Sequence, residues 1–387
     1  MNNTWKIYML TLISFLVGTS QFVIVGILDQ VASSVGVSVS AAGQLTTAFS
    51  LANAIGTPLV ILAAAKLDRR RQLLIALCIL LLGIVSTLAL PGFGFLMVSR
   101  AVLGVATGVF IVTAYGTAAQ LAPPGRQGGA MSNVAMGFSA ALVFGVPIGR
   151  VVAGAYDWKT IFWGLGFLSL LALVAVARTT PASESEAPVS LRRQLSYLKK
   201  PKIAAALGVP FFVFIGYSAV NTYITPFLAT LIPISEQGIS AVLLALGIAS
   251  LIGSKAGGFL TDRIGTSRTL LISMSVQVVA LVLLSLFTGS VSMSVSLLML
   301  WAIAIWSFGP TQNFNLISIA PEASSIMLSL NSSFVQLGFA AGAGIGGIAV
   351  GSSSVMAVSW IGSAAILTGL SIAAVSFGRT HTYARIE

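Results

Sequence analysis

The chain of 387 residues has very little charge: 7% of its residues are Asp, Glu, Lys or Arg, and only nine are acidic. A soluble domain of this length needs far more charged surface, so a soluble globular fold is excluded. Histidine and cysteine occur once each, as His381 and Cys78. A lone cysteine makes no intramolecular disulfide, and Cys78, inside an apolar run, reads as a packing residue. With one histidine near the C-terminus, no Ser/His/Asp or metal cluster falls at membrane depth, so the chain is not read as an enzyme and no metal or other cofactor is expected. No ten-residue stretches alternate with period two, which excludes a β-barrel.

What is abundant is apolar length. Hydrophobic residues make up 57% of the chain and mean hydropathy is +1.00. Apolar runs long enough to cross a ~30 Å hydrocarbon core recur near 6–28, 42–65, 72–90, 95–118, 130–154, 160–178, 203–229, 238–260, 269–288, 294–317, 328–350 and 355–377. The first follows Lys6 as a signal sequence would. Its length and the absence of a nearby small-x-small site make it a retained span.

The net charge of +11 is confined mostly to the loops. With the first loop external, Lys159 is the one clear external cation. Lys6, Lys66, Arg69, Arg70, Arg71, Arg126, Arg178, Arg192, Arg193, Lys199, Lys200, Lys202, Arg263, Arg268, Arg379 and Arg385 fall on the other side. This bias predicts two cytoplasmic termini and no nucleic-acid partner. The polar stretch 179–202 is the longest outside the spans. It is read as a cytoplasmic linker between bundles at 1–178 and 203–387. Leu191–Leu198 fits either an amphipathic helix at the anionic leaflet or a solvated segment.

A duplication underlies this layout. Lys66-Leu67-Asp68-Arg69-Arg70-Arg71 after the second span is echoed by Gly257-Gly258-Phe259-Leu260-Thr261-Asp262-Arg263-Ile264-Gly265 after the eighth, with Asp68 and Asp262 194 residues apart. Twelve spans in two halves with this repeated loop resemble the major facilitator superfamily. The resemblance covers the whole chain and implies an all-α membrane protein of two pseudo-symmetric six-helix bundles. The first copy departs from the family loop, with Ala64 and Ala65 where glycine is usual and Arg70 in place of the following glycine. Leu96–Gly104 resembles the arginine-bearing motif of the fourth helix. Gly137–Gly149, with Gly145, Pro147 and Gly149, resembles the fifth-helix motif of drug/proton antiporters, most like bacterial purine and sugar efflux permeases.

The implied function is secondary active efflux of a small polar or amphipathic molecule (drug, nucleobase or nucleoside, or sugar) by alternating access. The protein would act as a monomer in the bilayer of a bacterial cell membrane, with proton antiport as the coupling. Asp68 with Arg69, and Asp262 with Arg263, are expected to latch the bundles, the second copy being the fuller motif. Gly145, Pro147 and Gly149 suit a tightly packed, bendable helix. Gly338–Gly347 lacks the strand and lysine of a phosphate loop and reads as another close-packing helix, so ATP is not the energy source.

Intramembrane ionisable residues are functional candidates because burying charge there is costly. Arg100 and Arg150 are such candidates, although each also sits where an arginine can snorkel outward. The resemblance would place glutamate where Gln21 stands, and glutamine carries no titrating proton. Asp29, at the outer end of the first span, is then the coupling candidate, paired with Arg100 or Arg150. The alternative is an uncoupled facilitator, or an exporter of an anionic metabolite attracted by an unneutralised Arg100. The fold implies a cavity lined by spans 1, 4, 7 and 10. Their polar and aromatic residues are Gln21, Phe22, Thr113, Tyr115, Tyr217, Asn221, Tyr223, Trp306, Gln312 and Asn313, joined by Asn53, Asn331 and Gln336. Each of these side chains also suits an interhelical hydrogen bond or an interface anchor.

Overall fold

The structure, a computed structural model, describes residues 3–64, 66–123, 127–181, 195–231, 235–287 and 290–383; at 127, 128, 324, 325 and 378–383 it describes the backbone alone. Ala65, Arg126, Arg192, Arg193, Arg385, most of the linker, and the side chains of Arg379 and His381 lie outside the described residues. The described residues contain no β-strand. They contain 12 helices long and apolar enough to cross a membrane. In chain order these are α1 (Asn3–Gly26), α2 (Val39–Ala63), α3 (Arg69–Ala89), α4 (Phe93–Leu121), α5, α6 (Lys159–Thr179), α7 (Pro201–Thr222), α8 (Glu236–Ile264), α9 (Thr266–Leu286), α10 (Val291–Ile319), α11 (Ser324–Ser352) and α12 (Ala357–Tyr383). The fifth, α5, runs from Gln127–Ala140 through a π-helical turn, Ala141–Gly145, into Val146–Ala155.

Two expected spans are corrected. The run 203–229 is not one helix: α7 ends at Thr222, Tyr223 leaves helical geometry (φ −107°, ψ 21°), and a separate helix spans Ile224–Leu231. Pro226 supplies the reason, since it has no N–H for the Thr222 carbonyl and its ring crowds that carbonyl. The run 6–28 likewise stops at Gly26, and Leu28–Ser34 forms its own short helix after Ile27. Both breaks fall within runs that read as single apolar spans, which hydropathy averaged over a window cannot divide. Of Leu191–Leu198, residues 191–194 lie outside the described residues, and Tyr197–Lys199 forms a 3-10 turn. Tyr197 and Leu198 pack on a core containing Leu207, Leu316 and Met327. Cys78, expected as packing, lies exposed on α3.

Contacts group the chain into two compact units, one holding residues 1–38 and 44–188, the other 39–43 and 189–387. Within each, helices cross at glycines because lipid-exposed helices gain little from apolar burial and depend on close backbone packing. A Cβ on Gly104 of α4 would stand 2.2 Å from the Phe49 carbonyl oxygen of α2. In the second unit, Gly253 and Gly257 of α8 meet the Ile303 and Ser307 carbonyls of α10 at 2.4 and 2.3 Å on the same measure. The glycine-dense stretch of α11 is a helix whose Gly338 and Gly342 face the Phe211 and Ile215 carbonyls of α7 at 2.6 and 2.3 Å. The close-packing expectation for it therefore describes this contact.

Candidate functional site

The first unit holds the two buried arginines, Arg100 and Arg150. Its α1–α5 seam is built from glycine: a Cβ on Gly137 would stand 2.1 Å from the Thr11 carbonyl, one on Gly145 2.5 Å from Thr19 Oγ1, and one on Gly149 2.2 Å from Val23 Cγ2. Between them the backbone widens to the π turn, where the Val146 amide donates to the Ala141 carbonyl five residues back. Pro147, which has no amide hydrogen to offer, follows at once in the first turn of Val146–Ala155. Interruptions of this kind mark functional helices. Phe22 packs into the seam, edge-on to Phe138 at 5.3 Å.

Both buried arginines are held inward rather than snorkelling; each is 2% exposed. Arg150 donates to Asp29 Oδ1 at 2.5 Å and to the Gly26 carbonyl at 2.9 Å. It thus joins the last carbonyl of α1 to the first turn of Leu28–Ser34. Of the two partners expected for Asp29, the structure selects Arg150. Arg100 instead donates to the Ser20 and Gln21 carbonyls of α1 at 2.8 and 2.9 Å. Its guanidinium carbon stands 4.6 Å from the centre of the Phe49 ring, a cation–π contact. The Gln21 side chain is itself buried, and its Oε1 has no hydrogen-bond partner among the described residues.

The two loop aspartates differ. Asp68 caps α3, its Oδ1 accepting from the Arg71 amide at 3.0 Å while Oδ2 pairs with Arg71 Nε at 3.2 Å. Arg69 lies over α4, where a Cβ on Gly116 would collide with its guanidinium. Arg70 donates to the Ala177 carbonyl near the end of α6. Asp262 and Arg263 are exposed at the end of α8. Arg263 lies over the Phe259 ring at 5.2 Å, and Asp262 forms no hydrogen bond or ion pair among the described residues.

The second unit carries the aromatics. Tyr217 stacks on Trp301 (5.5 Å, 20°) and meets Trp306 and Phe339 edge-on at 6.2 and 5.4 Å. Phe214 stacks on Phe339 at 5.3 Å. Trp301 and Tyr217 are buried, whereas Trp306, Phe339, Asn221 and Gln336 remain half-buried. Trp301, Phe214 and Phe339 were not among the expected residues. The i, i+3 pair Phe214–Tyr217 was their one visible signal.

Other expected lining residues tie helices together. Thr113 donates to Gln72 Oε1 at 3.4 Å, and Gln72 in turn donates to the Ala64 and Leu67 carbonyls at 3.0 Å. Gln312 donates to the Ala206 carbonyl at 2.7 Å, and Tyr223 to the Ala343 carbonyl at 2.9 Å. Asn331 donates to Asn313 at 2.9 Å. Asn53 is buried, its Oδ1 2.9 Å from where a Gly108 Cβ would stand, and Tyr115 is half-buried.

Two six-helix halves with charged and aromatic interiors define a polytopic membrane transporter. Residues 10–343 match the Major Facilitator Superfamily, and the chain belongs to that family. It is 44% identical over 370 residues, 96% of this chain and 95% of the relative, to the uncharacterized MFS-type transporter YbcL of Bacillus subtilis (strain 168). Among solved structures it resembles the nucleoside transporter NupG (TM-score 0.76, 13% identity, covering 97% of this chain and 100% of that one). It also resembles the human organic anion transporter MFSD10 (TM-score 0.72, 14% identity, 95% and 98%). At these identities the likeness is one of fold. Members of the family are transporters rather than enzymes and generally need no cofactor.

Proposed function

We propose that the protein is a secondary active efflux transporter of a small polar or amphipathic molecule, working by alternating access as a monomer in a bacterial cell membrane. Both termini are assigned to the cytoplasm by the distribution of basic loop residues. The substrate class rests on the half-buried set Trp306, Phe339, Asn221 and Gln336. Half-buried aromatic and amide side chains suit stacking on and hydrogen-bonding a planar heterocycle. Drugs, nucleobases, nucleosides and sugars remain in this class, and the nucleoside transporter of the same fold makes nucleosides a natural first trial. Proton antiport, the coupling proposed, falls to Asp29 and its pair with Arg150, since Gln21 does not titrate.

A second reading, uncoupled movement or export of an anionic metabolite, is favoured by Arg100, a buried cation bonded to carbonyls rather than to a carboxylate. Proteoliposomes given an imposed pH gradient and tritiated uridine, adenine or benzoate separate the two. Antiport concentrates a solute above equilibrium and the protonophore-treated control does not. Uptake that only equilibrates, with the gradient intact, refutes coupling. Restoration of gradient-driven accumulation in Gln21→Glu then assigns the missing acid to that position.

A further inference from the structure

The first unit buries a positive charge at Arg100 and, among the described residues, places no carboxylate beside it. Its three described carboxylates are committed elsewhere. Asp29 is bound to Arg150 at 2.5 Å, Asp68 to Arg71 at 3.2 Å, and Asp157 accepts from the Lys159 amide at 2.9 Å. The Ser20 and Gln21 carbonyls and the Phe49 ring ease the cost of the cation without neutralising it. The three residues of this contact each carry a buried polar atom with no hydrogen-bond partner among the described residues: Arg100 Nε, Ser20 Oγ and Gln21 Oε1. Their residues are 2%, 1% and 7% exposed.

Buried donors are ordinarily satisfied, and a buried cation ordinarily has a counter-ion. We infer that Arg100, Ser20 and Gln21 form a site for one monovalent anionic group, either the carboxylate of a transported acid or a free halide. Arg100 Nε–H and the Ser20 hydroxyl supply two donors. The Gln21 amide turns about its last torsion to present Nε2–H as a third. A glutamate at residue 21 would fill the site with its own charge, whereas glutamine leaves the charge to be brought by the ligand. The identity of the transported acid rests on the transport reading above; the anion site itself does not.

The test is thermal unfolding of the purified full chain in detergent, followed by tryptophan fluorescence. Sodium acetate, sodium chloride or acetamide is titrated in, with sodium sulfate holding ionic strength constant. A ligand that binds only the folded state raises Tm saturably, and acetate is expected to do so while acetamide does not. If chloride is inert, the group is a carboxylate; if chloride matches acetate, it is a halide. Gln21→Glu is expected to raise Tm without added anion and to weaken the acetate response about tenfold or more. Arg100→Gln is expected to abolish it.

The inference is overturned if neither anion stabilises the wild-type protein saturably, or if Gln21→Glu keeps the full acetate response. A saturable acetate shift in a protein that transports nothing would refute the transport reading and leave the site standing. Gradient-driven transport of a solute without any anion response would do the reverse.

Discussion

Gly257 and Gly258 are neighbours in one helix, and alanine is expected to have opposite effects at them. A Cβ on Gly257 would stand 2.3 Å from the Ser307 carbonyl oxygen and 2.7 Å from Ser307 Cα, both main chain. Neither can rotate away, so reaching ordinary contact at 3.4 Å requires α8 and α10 to part by about 1 Å. One turn further on, that separation strains the hydrogen bond between the Thr261 and Thr311 hydroxyls, now 2.8 Å. Overpacking of this kind costs about 1–3 kcal/mol, and a weakened interhelical hydrogen bond adds about 0.6 kcal/mol. Alanine returns up to about 1 kcal/mol through its helix propensity. The expected net loss for Gly257→Ala is therefore about 2 kcal/mol.

Gly258 has nothing within 4 Å of its would-be Cβ. Only the propensity term acts there, and Gly258→Ala is expected to gain about 0.5–1 kcal/mol. Tryptophan fluorescence during heating in detergent is the appropriate readout, because a thiol-reactive dye would label the already exposed Cys78 before unfolding. Unfolding of such a protein is commonly irreversible, so the order of midpoints at one scan rate carries the result. If Gly257→Ala melts at or above wild type, or Gly258→Ala falls as far as Gly257→Ala, the close approach of α8 and α10 is refuted.

Four further outcomes concern the charged and aromatic side chains. Asp68→Ala removes the α3 cap and an exposed ion pair and is expected to cost about 1 kcal/mol in thermal unfolding, whereas Asp262→Ala is neutral. In the isosteric pair, where asparagine preserves the cap, we propose that Asp262→Asn impairs transport more than Asp68→Asn; equal or reversed losses at matched expression refute that ranking. Asp29→Asn leaves buried Arg150 without this carboxylate. The aspartate side chain is 35% exposed, so the loss is expected at about 2 kcal/mol, below that of a fully buried pair. A double-mutant cycle with Arg150→Gln should show coupling, and strict additivity would remove the pair from the argument. Trp306→Ala is expected to raise the half-saturation concentration for a planar solute about tenfold while Trp306→Phe keeps most of the affinity, measured as uptake in proteoliposomes.

Much of the fold was legible because membrane spans obey a length rule that sequence displays directly. Each of the 12 long helices overlaps an apolar run, most ends agreeing within a few residues. The breaks at Ile27 and Tyr223 were hidden because hydropathy is blind to a carbonyl bound by a distant arginine or deprived of its donor by proline. The arginines at residues 69–71 were equally opaque. As letters they are three interchangeable topology signals. In the fold, Arg69 covers Gly116, Arg70 reaches the end of α6, and Arg71 holds Asp68. Successive residues on a helix point about 100° apart, so neighbours on α3 face different helices.

Helix rise also decides between the two partners that the sequence left open for Asp29. Along a helix, the eight residues from Gln21 to Asp29 span about 12 Å. Arg100 is bonded to the carbonyls at Ser20 and Gln21, and Arg150 to the carbonyl at Gly26. An arginine held at the first place does not reach Asp29, and one held at the second does, at 2.5 Å. The choice was set by how far α4 and α5 are shifted along α1; for α5 that register is held by Gly137 and Gly149 against Thr11 and Val23, partners that the sequence of α5 does not name. Asp29 therefore does not give Arg100 the counter-charge that a carboxylate at residue 21 would bring. Arg150 has its counter-charge within the chain, whereas among the described residues Arg100 meets two carbonyls and a ring. Two buried arginines of equal exposure thus do different chemistry, because only one lies within reach of an acid.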